Sequence, residues 1–408
     1  MKTAARLLVL LACLAWAFAP AASARCDADA AVTEPPSARP SARPSAAAAQ
    51  DAQDAPVCKK CQSTGRLPCS EHPREECTLE DEVIFCGVIA DCAVCAGVGF
   101  TPCLDCQNAP ARAAIEAKKV EVATRKVALD YIDKTMGRPI RKAESAHFVL
   151  AWEMDRLKVD KKWLESHALL HLYLKRLESL YADYCARMRI TDKEFVEKFR
   201  VFVWQLPQDH HDAGLRFCRQ SAKGGVKLMG NTPSYSVCGN KQNFQDEEKL
   251  HRNIVHSVTH LILSAQKPVA WIGNIKAGWL DEGLAHFFED RYWSICDTYC
   301  FQEANSNVDF KGGKFRLAVR KMIEEDKAPP IAEVFEQNVD TLTLPMHAVS
   351  FSYVEYLLNK DAAKFNELVK HLKAKMPTRD ALKQSFGFSV HEFESQWKTW
   401  VLQTYPTK

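Results

Sequence analysis

Apolar residues along this chain change their spacing from segment to segment, and each change marks a different kind of structure. Leu7 to Phe18 is an almost unbroken apolar stretch behind Lys2 and Arg6, and Ala22-Ser23-Ala24 follows it. A basic start, a short apolar run and a small-residue exit predict a secretory signal over residues 1–24, too short to span a bilayer. Cys13 lies mid-way through the run, so plain secretion fits the order of parts better than a lipoprotein anchor. Residues 25–56 are rich in Ala, Pro and Ser and repeat Ser-Ala-Arg-Pro at 37–40 and 41–44. That composition cannot bury a core and predicts a disordered tether.

Cysteines crowd residues 57–108. From Ala109 to about Lys134 the chain is rich in Ala, Glu, Lys and Arg, with no Gly or Pro after Pro110, which predicts a connecting helix within 109–145. Residues 146–408 read as one α+β domain. His147–Leu150, Val201–Trp204 and Ser234–Cys238 have strand composition, and Trp163 to about Arg187 carries Leu164, Leu169, Leu172, Leu174 and Leu177 at helical spacing. From Asp246 onward the pattern is mostly helical.

Composition adds bounds. At 408 residues and 47% hydrophobic, the chain has room for two domains and a sizeable core. A net charge of +3, with both signs interspersed, gives no argument for nucleic acid or an anionic membrane surface. No later segment has the length and apolarity of a membrane span. The expected partner is a peptide or protein, and the sequence sets no oligomeric state.

The sixteen cysteines are many, and in an exported chain disulfides are the default reading. Their spacing argues otherwise for the first group. Cys58-x-x-Cys61, Cys69-x-x-His72, Cys92-x-x-Cys95 and Cys103-x-x-Cys106 follow one another, and a seven-residue gap repeats within each half. Two such tight pairs can complete one tetrahedral zinc. Gly65, Gly97 and Gly99 stand where a zinc-ribbon hairpin needs positive φ. The segment resembles the cysteine-rich zinc domain of DnaJ-type co-chaperones, above all at Cys92-Ala-Val-Cys95-Ala-Gly97-Val-Gly99. The resemblance implies one zinc on Cys58, Cys61, Cys103 and Cys106, and a second on Cys69, His72, Cys92 and Cys95. The chain departs from that pattern in the His at 72 and in an insertion with two extra cysteines, Cys77 and Cys86, which could pair with each other. No J-domain precedes it, so co-chaperone function is not implied.

The second chemical pattern is His256-Ser257-Val258-Thr259-His260, within a predicted helix from Asp246 to about Ala265. Histidines four apart share one helical face and can grip one metal. Trp279-Leu280-Asp281-Glu282-Gly283-Leu284-Ala285 then opens a second helix. Together these resemble the gluzincin group of zinc peptidases, the aminopeptidase-N-like branch, over about residues 146–408. The resemblance implies His256, His260 and Glu282 as zinc ligands. It also places Ser257 where the family has the glutamate that takes a proton from zinc-bound water. Serine cannot serve as that base near neutrality. His286 and Glu289 are candidate substitutes, and Asp281 reads as a residue complementing the helix dipole. A tyrosine aimed at the reaction centre has no secure equivalent near His347, with Tyr353 further on.

Among Cys185, Cys218, Cys238, Cys296 and Cys300 some disulfides are expected, for instance Cys218 with Cys238 or one of them with the Cys296/Cys300 pair, and no activation pattern marks any as a functional thiol. The resulting expectation is an exported metallopeptidase-like protein, impaired at Ser257, that binds peptides or acts as an adaptor. The alternative is an active zinc hydrolase working through His286 or Glu289.

Overall fold

In the computed structural model the described residues are 58–72, 83–106, 108–300 and 309–408. The expected signal segment, the tether and Cys77 lie outside them.

Within the cysteine-rich segment, strands β1 (Arg66–Pro68) and β3 (Phe100–Pro102) pair antiparallel, with β2 (Val83–Cys86) between them in the chain. Gly65, Gly97 and Gly99 all have positive φ, at 73°, 81° and 79°. A side chain on Gly65 would also meet Ala111 and Asn108 at 2.5–2.6 Å. Helix α1 (Ala109–Met136) follows. Asn108 caps it by accepting from the Ala111 amide, a proline sits in its first turn, and Gly137 ends it in the left-handed conformation.

Strands β4 (Lys142–Ser145), β5 (Phe148–Glu153), β6 (Arg156–Val159) and β7 (Lys162–Glu165) lead into α2 (Ser166–Met188). The helix expected from Trp163 starts three residues later. Trp163 belongs to the β6–β7 hairpin, half-exposed under the Arg156 guanidinium, and its apolar neighbour Leu164 mimics the helical period that follows. Then come β8 (Phe199–Trp204), the short helix α3 (Pro207–Ala213), β9 (Gly225–Leu228) and β10 (Ser234–Cys238).

One mixed sheet organises this half, in the order β2-β4-β5-β8-β10-β9. β5, β8 and β10 run parallel, and the outer pairings are antiparallel. The cysteine-rich segment therefore contributes an edge strand to the larger domain. Alternation divides the sheet between two layers. Phe148, Leu150 and Trp152 pack with Leu170, Tyr173 and Leu177 of α2, whereas Val149, Ala151, Phe202 and Trp204 pack with Val122, Leu129 and Ile132 of α1.

The remainder is helical: α4 (Glu247–Ala265), α5 (Gly278–Trp293), α6 (Phe315–Glu324), α7 (Ile331–Val334), α8 (Leu344–Lys360), α9 (Ala362–Lys373), α10 (Thr378–Phe386) and α11 (Val390–Thr404). Asp246 caps α4 by accepting from the Lys249 amide. At its other end the buried Lys373 donates to the carbonyls of Leu263 and Gln266, which satisfies acceptors left over at the helix C-terminus. α5 packs between α4 and α8. Gly283 lets α8 approach closely, because a Cβ there would stand 2.5 Å from the Ser350 carbonyl oxygen.

Candidate metal centres

The cysteine-rich segment gathers its ligand-type residues into two sets, Cys58/Cys61/Cys103/Cys106 and Cys69/His72/Cys92/Cys95, each able to hold a metal ion. Sulfur–sulfur separations are 3.9 Å for Cys58–Cys103, 3.5 Å for Cys61–Cys106 and 3.9 Å for Cys69–Cys92. A tetrahedron of thiolates about 2.3 Å from zinc has edges of about 3.8 Å, so the spacing fits a metal. The tight pairs point turn amides at sulfur. The Cys95 backbone N–H holds the Cys92 thiol down to about 6, and the Cys106 N–H holds Cys103 down to about 7. Burial pushes Cys95 up to about 11.

The second site lies where α4 and α5 cross. His256 and His260, one turn apart on α4, bring their Nε2 atoms to 3.2 Å. Glu282, in the first turns of α5, places Oε2 3.4 Å from His256 Nε2 and Oε1 3.6 Å from His260 Nε2. All three are buried. Metal–ligand bonds of about 2.0–2.1 Å give tetrahedral edges of about 3.3 Å, close to these distances. Neither Glu282 oxygen accepts a directed hydrogen bond among the described residues. A carboxylate so buried needs a cation. Burial would raise its pKa, yet His256 and His347 hold it well below the usual carboxylate range.

A family model for the Peptidase MA superfamily matches residues 188–403, just over half of the chain. The chain belongs to the Peptidase MA superfamily. The matched span contains α4 and α5, and with them the whole His256–His260–Glu282 set. Peptidase MA proteins are typically metal-dependent, and the buried, cation-demanding donors here fit such an ion. Among curated proteins the chain has no match.

Against this Peptidase MA framework the remaining expectations divide. Ser257 is fully buried, and its hydroxyl makes no hydrogen bond among the described residues. Glu289 is engaged on both oxygens. Oε1 accepts from the Asp297 and Thr298 amides and the Thr298 hydroxyl, while Oε2 lies 3.2 Å from His256 Nδ1 and 3.1 Å from His286 Nδ1. Burial would raise its pKa, but the two imidazoles hold it down at about 2. His286 bridges Glu289 and His347, with Nε2 3.1 Å from His347 Nδ1, and burial holds its pKa down at about 4. Asp281 does more than face a helix dipole. Its Oδ1 stands 2.9 Å from His260 Nδ1, and its Oδ2 accepts from the Trp271 indole at 2.7 Å. Glu289 and Asp281 thus sit behind the two α4 histidines, Glu289 in hydrogen-bond contact with His256 and Asp281 in close ion-pair approach to His260 without a directed hydrogen bond. Carboxylates so placed orient imidazoles in metal sites. Tyr353 packs in the core against Trp397.

Sequence reasoning missed Cys300. Its sulfur stands 3.4 Å from His256 Nε2 and 3.2 Å from His260 Nε2, and the four residues His256, His260, Glu282 and Cys300 form one group able to hold a metal. Lys227 Nζ donates to the same sulfur at 3.3 Å. No local periodicity links Cys300 to α4, and only its closeness to Glu282 in the chain hinted at this. The disulfides expected among Cys185, Cys218, Cys238, Cys296 and Cys300 do not form; all five thiols are free. Cys218 lies against the Ser234 carbonyl, Cys238 against the Gln205 carbonyl and Cys296 against the His286 carbonyl, so each sulfur has a different neighbour.

A cleft of roughly 440 Å³ reaches this site, with His260, Asp281 and Cys300 in its wall. Gly225, Val226 and Lys227 of β9, which ends the sheet order, also line it.

Proposed function

We propose that this protein is a zinc-holding, non-hydrolytic member of the Peptidase MA superfamily, of the gluzincin type, which binds a peptide or protein partner. The observation that carries this reading is the place of Cys300, against the facing nitrogens of both α4 histidines. In this reading His256, His260, Glu282 and Cys300 hold zinc with four protein ligands, as structural sites do, where catalytic sites keep one position open. The metal would supply Lewis acidity and rigidity to the cleft. Ser257 offers no general base beside it, and loss of such a base typically costs about 10²–10⁴-fold in rate. Glu289 and His286 do not serve as replacements, since their polar atoms are engaged in orienting imidazoles.

Partner binding is supported by the cleft and by β9 at its rim. An extended peptide can add to such a sheet edge through main-chain hydrogen bonds, with side-chain pockets adding specificity. The cysteine-rich segment, read as a DnaJ-like module with two zincs, offers a second, rigid surface of the kind that serves as scaffold or adaptor. Export through residues 1–24 belongs to the same reading and rests on the order of charged, apolar and small residues there.

The test is peptide hydrolysis by the zinc-loaded protein, by Ser257→Glu, by Cys300→Ala and by the double variant. The wild type is expected to be inactive across a broad peptide library, and any gain is expected only where Cys300 is removed and a carboxylate restored. Chelator-sensitive wild-type turnover at the rate of ordinary metallopeptidases would overturn the reading.

A further inference from the structure

The sheet edge carries a cluster that neither the cysteine sets nor the α4–α5 site uses. β2 alternates across the sheet, so Phe85 joins the α1 layer and Cys86 the α2 layer. The Cys86 thiol is thereby delivered to the beginning of α2. The first two turns of that helix carry His167 and His171, four apart on one helical face, with ring centroids 4.9 Å apart. Cys86 Sγ lies 3.4 Å from His167 Nε2, across 81 positions of sequence. One ligand atom from each of the three residues falls within 4.8 Å of the others. Cys86 is buried and both histidines are half-buried.

We propose that Cys86, His167 and His171 form a further metal site, which takes zinc and clips the edge of the cysteine-rich segment onto α2. One thiolate and two imidazoles are a borderline-soft donor set, suited to zinc and poorly suited to magnesium or calcium. The location explains what the metal does. β2 has only four residues, and its register slips between Val83 and Phe85, so its ladder with β4 is short and irregular. A metal joining β2 to α2 holds that edge in place, since binding free energy at a site absent from the unfolded chain stabilises the fold.

The experiment uses the full chain carrying Cys300→Ser, loaded with cadmium-113 and read by NMR. That substitution leaves no sulfur ligand at the α4–α5 site among the described residues, and the signal that Cys86→Ala removes is assigned to the Cys86 cluster. The expected result is one such signal beside those of the cysteine-rich sets. It is lost in His167→Gln and in His171→Gln, together with one zinc equivalent per chain by native mass spectrometry. A spectrum that contains the signals of the cysteine-rich sets but no further signal sensitive to Cys86→Ala would overturn the proposal. So would a zinc count unchanged by either histidine substitution in folded protein.

Discussion

Cys300 Sγ lies 3.2 Å from His260 Nε2, although forty positions separate the two residues. That contact brings a thiol to a histidine pair whose spacing alone implied one helical face able to grip a metal. It also joins α4 to the chain beyond α5, so the site is closed by three separate stretches of sequence.

Removing the thiol should therefore act on metal before anything else. Cys300→Ala is expected to weaken zinc binding at the α4–α5 site by at least about 10–100-fold, the scale known for the loss of a mere outer-shell partner. Competition with a chromophoric chelator measures this. In the wild type, Cys300 is expected to resist alkylation when zinc is present and to react after chelation. Equal alkylation in both states would count against a ligand role.

The carboxylates behind the histidines give a second expectation. Glu289 lies 3.2 Å from His256 Nδ1 and Asp281 lies 2.9 Å from His260 Nδ1. Glu289→Gln and Asp281→Asn should each lower zinc affinity by about 10–100-fold while the far-ultraviolet circular dichroism stays the same. Unchanged affinity in both variants would remove these residues from the metal site.

Gly283 tests the helix crossing that positions Glu282. A Cβ at this position would meet the Ser350 oxygen at 2.5 Å and its carbonyl carbon at 2.8 Å, both backbone atoms. Gly283→Ala should destabilise the protein by about 1–3 kcal/mol through overpacking, in spite of the better helix propensity of alanine. Urea unfolding of the zinc-loaded variant measures the loss.

His210 gives a pH dependence away from any metal ligand. Its Nε2–H donates to the Ala222 carbonyl at 3.0 Å, and its Nδ1 accepts from the Ser236 hydroxyl at 2.9 Å. The Ser236 oxygen in turn accepts from the Trp204 indole at 3.0 Å, so the network requires the neutral ring. Burial lowers the pKa from 6.5 to about 4, against a smaller opposite effect of the Ala222 carbonyl. A depressed folded-state value means that the stabilisation is complete above about pH 6.5 and is lost as pH falls towards 4. The unfolded ring takes up a proton in that window and the folded ring does not. The loss should be on the order of 3 kcal/mol at most. Urea titrations at pH 7 and pH 5 should show a smaller pH effect in His210→Asn than in the wild type.

Much of the fold was legible because its signals are local. The helix from about Asp246 to Ala265, the strands around 148–153, 199–204 and 234–238, and the helical second half follow from apolar period and strand composition. The start of α2 was misplaced since Trp163 and Leu164 continue the helical apolar spacing while their backbone pairs with β6. The union of β2 with β4 was not legible either, for a four-residue edge strand inside a cysteine-rich insertion carries no pattern that names its partner.

The sequence by itself determined those ligand groups whose members are held together by one turn of backbone. His256 and His260 share a face because an α-helix repeats every 3.6 residues, and each Cys-x-x-Cys pair converges because a tight turn brings both sulfurs to one side. Only the tertiary structure decided what closes each group. Cys300 at the histidine pair, Cys86 at His167 and His171, and Asp281 and Glu289 behind the α4 rings all depend on how the sheet, α2, α4 and α5 pack. That packing is set by burial of apolar surface from many distant positions at once, and no spacing along the chain encodes it.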